Sequence, residues 1–200
     1  MSTTLNRSRA AHHWRTVDLL TAAVLGVAFG VVFWGWDVVY AAVEPAFAFL
    51  PPLKGLLGGV WLLPAVVAAL VVRRPGAALL AEMVAATVEA LLGNYWGITV
   101  LVSGAVQGVG VELAFALFAW RRSGPAVAVL GGVVAGVLEG VVEQFLYYGD
   151  TWTMPYRLVY IGSFAVSGAV IAGLGGWALV RALARTGALS AFPAGREHRG

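Results

Sequence analysis

Apolar residues come in long unbroken blocks, not at the three-to-four spacing of a helix with one wet face. The first block runs from Val17 to Trp36 and the second from about Leu53 to Val72. A helix that is apolar on every side belongs in a large core or a membrane, and about 20 such residues span the hydrocarbon layer. Arg73-Arg74 closes the second block, and Pro75 opens a third that reaches Leu92 and stops at Gly93-Asn94. Proline suits a first helical turn, where its missing N–H would be unpaired in any case, and Gly-Asn is C-cap chemistry. A fourth block begins near Trp96 and ends at Trp120-Arg121-Arg122. Gly124-Pro125 opens a fifth that extends to about Tyr148, and the sixth runs from about Pro155 to Val180. The pattern predicts an all-α membrane protein, a compact bundle of six transmembrane helices over residues 15–183. A short N-terminal tail, 1–14, precedes the bundle, and a Gly-, Ala- and Arg-rich tail, 184–200, reads as flexible. No internal repeat is visible.

Charge placement adds orientation. Only 12% of the residues are charged and 60% are hydrophobic, against about 25% charged in a soluble domain. Arg7, Arg9, Arg15, Arg73, Arg74, Arg121, Arg122, Arg181, Arg185, Arg196 and Arg199 all fall on one side of the predicted bundle. Only Lys54 and Arg157 fall on the other. Short loops rich in Lys and Arg stay cytoplasmic, so both termini are expected on the cytoplasmic side of a cell membrane, which requires an even number of crossings. The same arginines account for the pI of about 9.6 through topology and lipid headgroups, with no nucleic-acid partner. The first block is too long for a signal-peptide core and is expected to stay as a spanning helix.

Absences narrow the chemistry. There is no cysteine, hence no thiolate site. His12, His13 and His198 lie in the tails, so neither a metal site nor a histidine relay is expected at membrane depth. Ser103, Ser163 and Ser167 have no intramembrane histidine or lysine to activate them, so no enzyme and no cofactor is expected. Five carboxylates nevertheless fall inside predicted helices: Glu82, Glu89, Glu112, Glu139 and Glu143. Each costs a few kcal/mol or more near the bilayer centre unless it is paired or faces a polar cavity. At 1.5 Å of rise per residue, Glu89, Glu139 and Glu143 share the outer third of the membrane, Glu82 and Glu112 the inner third, and Gln107 lies near mid-depth. Trp34, Trp36, Trp96 and Tyr160 are among the aromatics crowding the outer layer. Carboxylates and indoles at one depth suit a flat, amino-bearing or cationic ligand, stacked by the rings and bonded by the acids. Helix 1 carries Ala22, Gly26 and Gly30 at intervals of four, a groove that lets another helix approach closely.

The stretches PGAALLAEMVAATVEALLGNYWG, from Pro75 to Gly97, and GAVQGVGVELAFALF, from Gly104 to Phe118, resemble the YkoE-type S components of energy-coupling factor (ECF) vitamin transporters. The resemblance is most specific over 75–122 and covers most of 14–180. It implies six helices and a vitamin site near the extracellular face, with Glu82, Glu89, Asn94, Trp96, Gln107 and Glu112 at the matching positions. The implied ligand is thiamine or its hydroxymethylpyrimidine precursor, with Glu89 as acceptor for the aminopyrimidine and Asn94 and Gln107 as hydrogen-bonding partners. Trp96, Trp34 or Trp36 would stack. The implied partners are a transmembrane coupling (T) subunit, which Ala22, Gly26 and Gly30 would meet, and separate ATPase subunits. Glu139 and Glu143 rest on depth and spacing alone. A stand-alone cation- or proton-coupled permease is the alternative reading.

Overall fold

The computed structural model describes residues 13–149 and 151–197; the expectations placed on Arg7, Arg9, His12, His198 and Arg199 lie outside them. Helix α1 spans Thr16–Val43, with one further 3-10 turn at Glu44–Phe47. A 3-10 segment, Pro51–Val60, leads into α2, Leu63–Val72. Helix α3 is Ala77–Leu92, α4 is Val100–Ala116, and α5 is Pro125–Glu143 with a wide π turn at Gln144–Tyr148. Helix α6 runs from Met154 to Arg185 through a π segment, Gly168–Gly175, and a short α7 covers Pro193–Arg196. There is no strand among the described residues.

Five of these stretches are long and apolar enough to cross a membrane: Thr16–Phe47, Pro51–Val72, Gly97–Ala116, Pro125–Tyr148 and Met154–Arg185. Helix α3, at 16 residues, is about 24 Å long and falls short of a full bilayer core on its own.

Helix α2 is the axis. Leu62 and Ala65 through Val72 are each at most 2% exposed. They pack into one cluster with Val111 and Phe115 of α4, Ala128 and Ala135 of α5, and Phe164 and Ala172 of α6. Close backbone approach tightens this bundle. Gly132 of α5 and Gly168 of α6 meet so closely that a Cβ on either would collide with the carbonyl oxygen of the other. Two serines tie α6 to the 3-10 segment: Ser163 donates to the Pro52 carbonyl at 2.9 Å, and Ser167 donates to the Leu56 carbonyl at 2.6 Å while accepting from Gly59 N–H at 2.8 Å. Their hydroxyls serve packing.

Helix α1 divides sharply. Leu19, Leu20, Val24, Val27, Val31 and Val38 are exposed, whereas Asp18, Ala22, Gly26, Gly30, Phe33, Asp37 and Tyr40 are buried. The small-residue groove expected to receive a coupling subunit is filled by this chain's own α3. A Cβ at Gly26 would sit 2.6 Å from the Ala81 carbonyl oxygen, and one at Gly30 would sit 2.5 Å from Val88 Cβ. Ala22 is fully buried. These three residues set the α1–α3 spacing, and that contact leaves them no room for a second partner.

The expected flexible tail also packs. Leu189, Phe192 and Ala194 are buried, and Glu197 forms a fork with Arg73 at 2.5 and 2.7 Å. Its few apolar residues have an open helix end to cover, which composition does not reveal. Arg15, Arg73, Arg74, Arg121 and Arg196 gather round one cavity at this end. The opposite end carries Tyr40, Trp96, Tyr147, Tyr148 and Trp152, so the charge asymmetry of the sequence reappears as two chemically distinct poles.

Candidate functional site

The site is organised by the interruption of helix 2. The 3-10 segment ends at Val60, Trp61 follows, and α-helical geometry begins at Leu63 with Pro64 in its first turn. A helix N-terminus inside the bundle leaves N–H groups without intrahelical partners and carries partial positive charge. Glu82 of α3 answers both needs: its Oε2 accepts from Ala65 N–H at 2.9 Å. Its Oε1 faces Gln107: with that amide oriented so that its nitrogen meets the acceptors around it, the nitrogen donates to Glu82 Oε1 at 3.1 Å and to the Trp61 carbonyl at 3.0 Å. Glu82 is therefore a cap supplied by a neighbouring helix. Glu112 does the same for α3, its Oε1 accepting from Ala78 N–H at 2.8 Å and its Oε2 from Trp120 Nε1 at 3.1 Å.

Above the Glu82 cap lies a cavity of about 390 Å³, counting its open mouth. It is lined by Phe33, Trp61, Glu82, Ala86, Glu89, Trp96, Val100, Ser103, Gly104, Gln107, Glu143 and Tyr147. Glu89 is 2% exposed, and its Oε1 has no hydrogen-bond partner. Trp61 and Trp96 meet edge to face at 5.2 Å, and Tyr40 closes on both at 5.4 and 5.3 Å. A smaller chamber of about 250 Å³ adjoins it toward the aromatic pole, sharing Trp61, Trp96 and Glu143 and adding Tyr40, Lys54, Tyr148 and Tyr160. Lys54 is held by Glu44 at 2.7 Å and lies 4.8 Å above the Tyr148 ring. Polar atoms converge on an otherwise aromatic chamber, the usual form of a small-molecule site. Among the described residues no group of three or more acidic or histidine side chains could hold a metal ion.

Comparison with known proteins fixes the family. The model for the permease component of ABC-type cobalt transport systems matches residues 17–138. A Bacillus subtilis (strain 168) protein named as an HMP/thiamine permease, YkoE, is 34% identical over 187 residues, 92% of this chain and 92% of that one. A crystal structure of an S-component of an ECF transporter superposes with a TM-score of 0.87 at 32% identity, covering 94% of each chain. The chain is a YkoE-type S component. S components of ECF transporters are substrate-binding transport proteins, not enzymes, and this one is a multi-pass protein of the cell membrane.

Of the residues singled out from sequence, the S component brings Glu82, Glu89, Trp96, Gln107 and Glu143 to the main cavity and Tyr160 to the adjoining chamber, where its hydroxyl donates to Glu143. Glu139 is fully buried and lines neither chamber, with Oε2 unpartnered. Four others line neither chamber. Glu112 is occupied at the N-terminus of α3, far along the helix from Glu89. Asn94 shapes the loop that presents Trp96, its Oδ1 accepting from Trp96 N–H at 2.7 Å and its amide donating to the Gly97 carbonyl at 3.2 Å. Trp34 is 45% exposed on the outward face of α1. Trp36 supports the wall, donating to the Leu57 carbonyl at 3.2 Å and meeting Trp61 edge to face at 6.4 Å.

Trp61 and Phe33 line the cavity without any signal read from the sequence, while Tyr147 is legible there only as one of the outer aromatics and Ser103 only as an unactivated hydroxyl. Trp61 sits in the middle of the second apolar block, where an indole reads as filler. Buried Asp37 lies just beyond the first apolar block, which ends at Trp36, while α1 continues seven residues further, to Val43. An aspartate one residue past a predicted end was the signal available.

Proposed function

We propose that this S component captures thiamine or its hydroxymethylpyrimidine precursor in the Glu89 cavity, and serves an ECF-type importer whose coupling and ATPase subunits are separate chains. The observation that carries the reading is a deeply buried carboxylate oxygen with no donor, facing a chamber walled by two indoles. An uncompensated acceptor in such a place is costly. An aminopyrimidine supplies N–H donors to Glu89 and a flat ring to Trp61 and Trp96, and thiamine adds a cationic thiazolium that suits Glu143 and the tyrosines of the adjoining chamber. The name of the Bacillus subtilis relative agrees with that chemistry. Both termini would lie in the cytoplasm, with the aromatic pole and the cavity mouth toward the outside. A coupling subunit would meet a face other than the filled Ala22–Gly26–Gly30 groove.

Purified protein titrated with thiamine and with hydroxymethylpyrimidine tests this directly. Trp61 and Trp96 would meet the ligand, so intrinsic fluorescence should be quenched at submicromolar ligand. Absence of both quenching and calorimetric heat with either compound would remove the substrate assignment.

A further inference from the structure

Positive charge at the arginine pole is not spread evenly. Arg15 before α1, Arg73 and Arg74 between α2 and α3, Arg121 after α4 and Arg196 of α7 surround one open cavity of about 750 Å³. Val72, Ala119, Trp120 and Pro193 complete its walls. Membrane topology needs arginines on one side, but it does not need them to converge. Arg122 and Arg181 serve topology from other places, over the rings of Phe118 and Trp177 at 5.7 and 4.9 Å. The convergent charge is only partly answered. Asp18 takes Arg15 at 2.6 Å and stands 3.6 Å from Arg74, and Glu197 takes Arg73. Arg196 donates to the Ala191 carbonyl at 3.1 Å. Arg121 has no side-chain hydrogen bond or ion pair among the described residues. Even with Glu112 counted, which bonds Ala78 N–H and the Trp120 indole, five guanidiniums stand against three carboxylates.

Backbone conformation marks the same place. Among the described residues the non-glycine positions with positive φ are Arg73, Ala119 and Trp120, at 54°, 49° and 55°. All three line this cavity. A side chain makes that conformation unfavourable, and glycine usually takes it at helix ends. The chain holds 26 glycines yet puts none at these turns. Strained backbone of this kind collects at functional sites. Here it keeps a guanidinium and an indole on the cavity wall where glycine would supply neither.

From this arrangement we infer that the cavity binds a phosphate group of net negative charge, held chiefly by Arg74 and Arg121, the least engaged of its guanidiniums. The site is separate from the aromatic cavity at the opposite pole. A carboxylate offers two oxygens in one plane. A phosphate offers oxygens in several directions, and these arginines arrive from four separate segments. Guanidinium forks match phosphate geometry, and basic pockets between membrane helices hold anionic headgroups. Leu113 and Leu117, at the end of α4 just before Ala119, are exposed, so a phospholipid has apolar surface for its chains. A free phosphate compound offers the same headgroup chemistry.

Native mass spectrometry of the full chain in detergent, with phosphatidylglycerol or phosphatidylcholine added, reads the bound molecule directly. Phosphatidylglycerol is expected to be retained in preference to phosphatidylcholine. Inorganic pyrophosphate separates the sources: if it displaces phosphatidylglycerol the site takes free phosphate compounds, and if the lipid stays the headgroup is the occupant. Arg121→Gln is expected to reduce the preference about tenfold, the worth of one hydrogen bond to a charged group. The unfolding midpoint of the lipid-free protein should not move, since Arg121 has no partner to lose. Arg122→Gln removes the same charge from the next residue, outside the cavity lining, and should leave the preference intact. Equal losses in the two variants would reduce the effect to the general charge of the pole and overturn the pocket. Full preference in Arg121→Gln overturns it as well, and so does equal retention of the two lipids with no effect of pyrophosphate.

Discussion

At the scale of single residues, two glutamates seven positions apart on one helix have opposite duties. Glu82 has a donor on each oxygen, Ala65 N–H and the Gln107 amide, whereas Glu89 keeps Oε1 unmatched. Their substitutions should therefore separate in what they damage. Glu89→Gln is expected to weaken thiamine binding by ~1.5–3 kcal/mol, the worth of a hydrogen bond to a charged group, with little change in the thermal unfolding of the empty protein. Glu82→Ala leaves Ala65 N–H buried without an acceptor, a loss of ~1–3 kcal/mol, and should lower the unfolding midpoint with or without ligand. Equal loss of affinity and stability in both variants would contradict the division. The sequence shows that both acids are out of place in lipid. It does not show which is satisfied, because the partner of Glu82 is a backbone N–H exposed by a helix break that hydropathy does not detect.

Among the elements, the break in helix 2 and the small-residue face of α1 govern the geometry. Pro51-Pro52, the glycines at 55, 58 and 59, and Pro64 are legible as residues. The 3-10 segment that precedes the change of winding at Trp61 is held by the Ser163 and Ser167 hydroxyls of α6, more than 100 positions away. No local pattern carries that information. The spacing of Ala22, Gly26 and Gly30 marks a close-approach surface, but spacing does not name the helix that approaches, and within this chain it is α3. Gly30→Leu puts a side chain where Val88 and the Ala85 carbonyl already stand. It is expected to cost at least ~1–3 kcal/mol by overpacking and to weaken ligand binding as well, because α1 and α3 together hold Phe33, Asp37 and Glu89. A Gly30→Leu protein that unfolds at the normal temperature and binds normally, but no longer supports uptake, would instead return the groove to a partner subunit.

For the whole molecule, the sequence predicted two poles and an even number of crossings, and the described residues carry the arginines and the aromatics at opposite ends. The open question of number concerns α3 alone, since its 16 residues are short for a bilayer. Both ends of this helix are nonetheless tied to the poles. Arg74, just before it, lies 3.6 Å from Asp18 at the start of α1. Trp96, just after it, packs on Tyr40 near the end of α1. We propose that α3, tied at both poles, traverses with α1, and a locally thinned bilayer or snorkelling arginines would accommodate its length. The native chain has no cysteine, so single cysteines can be introduced without a background. Tyr95→Cys and Phe49→Cys, both at exposed positions of the aromatic pole, are expected to react with a membrane-impermeant maleimide added outside intact cells. Ser123→Cys and Ser190→Cys, near the arginine pole, should react only after permeabilisation. Labelling of Tyr95→Cys from the cytoplasmic side, with Phe49→Cys labelled from outside, would mean that α3 does not cross. The cavity between them would then lose its access from the outer face.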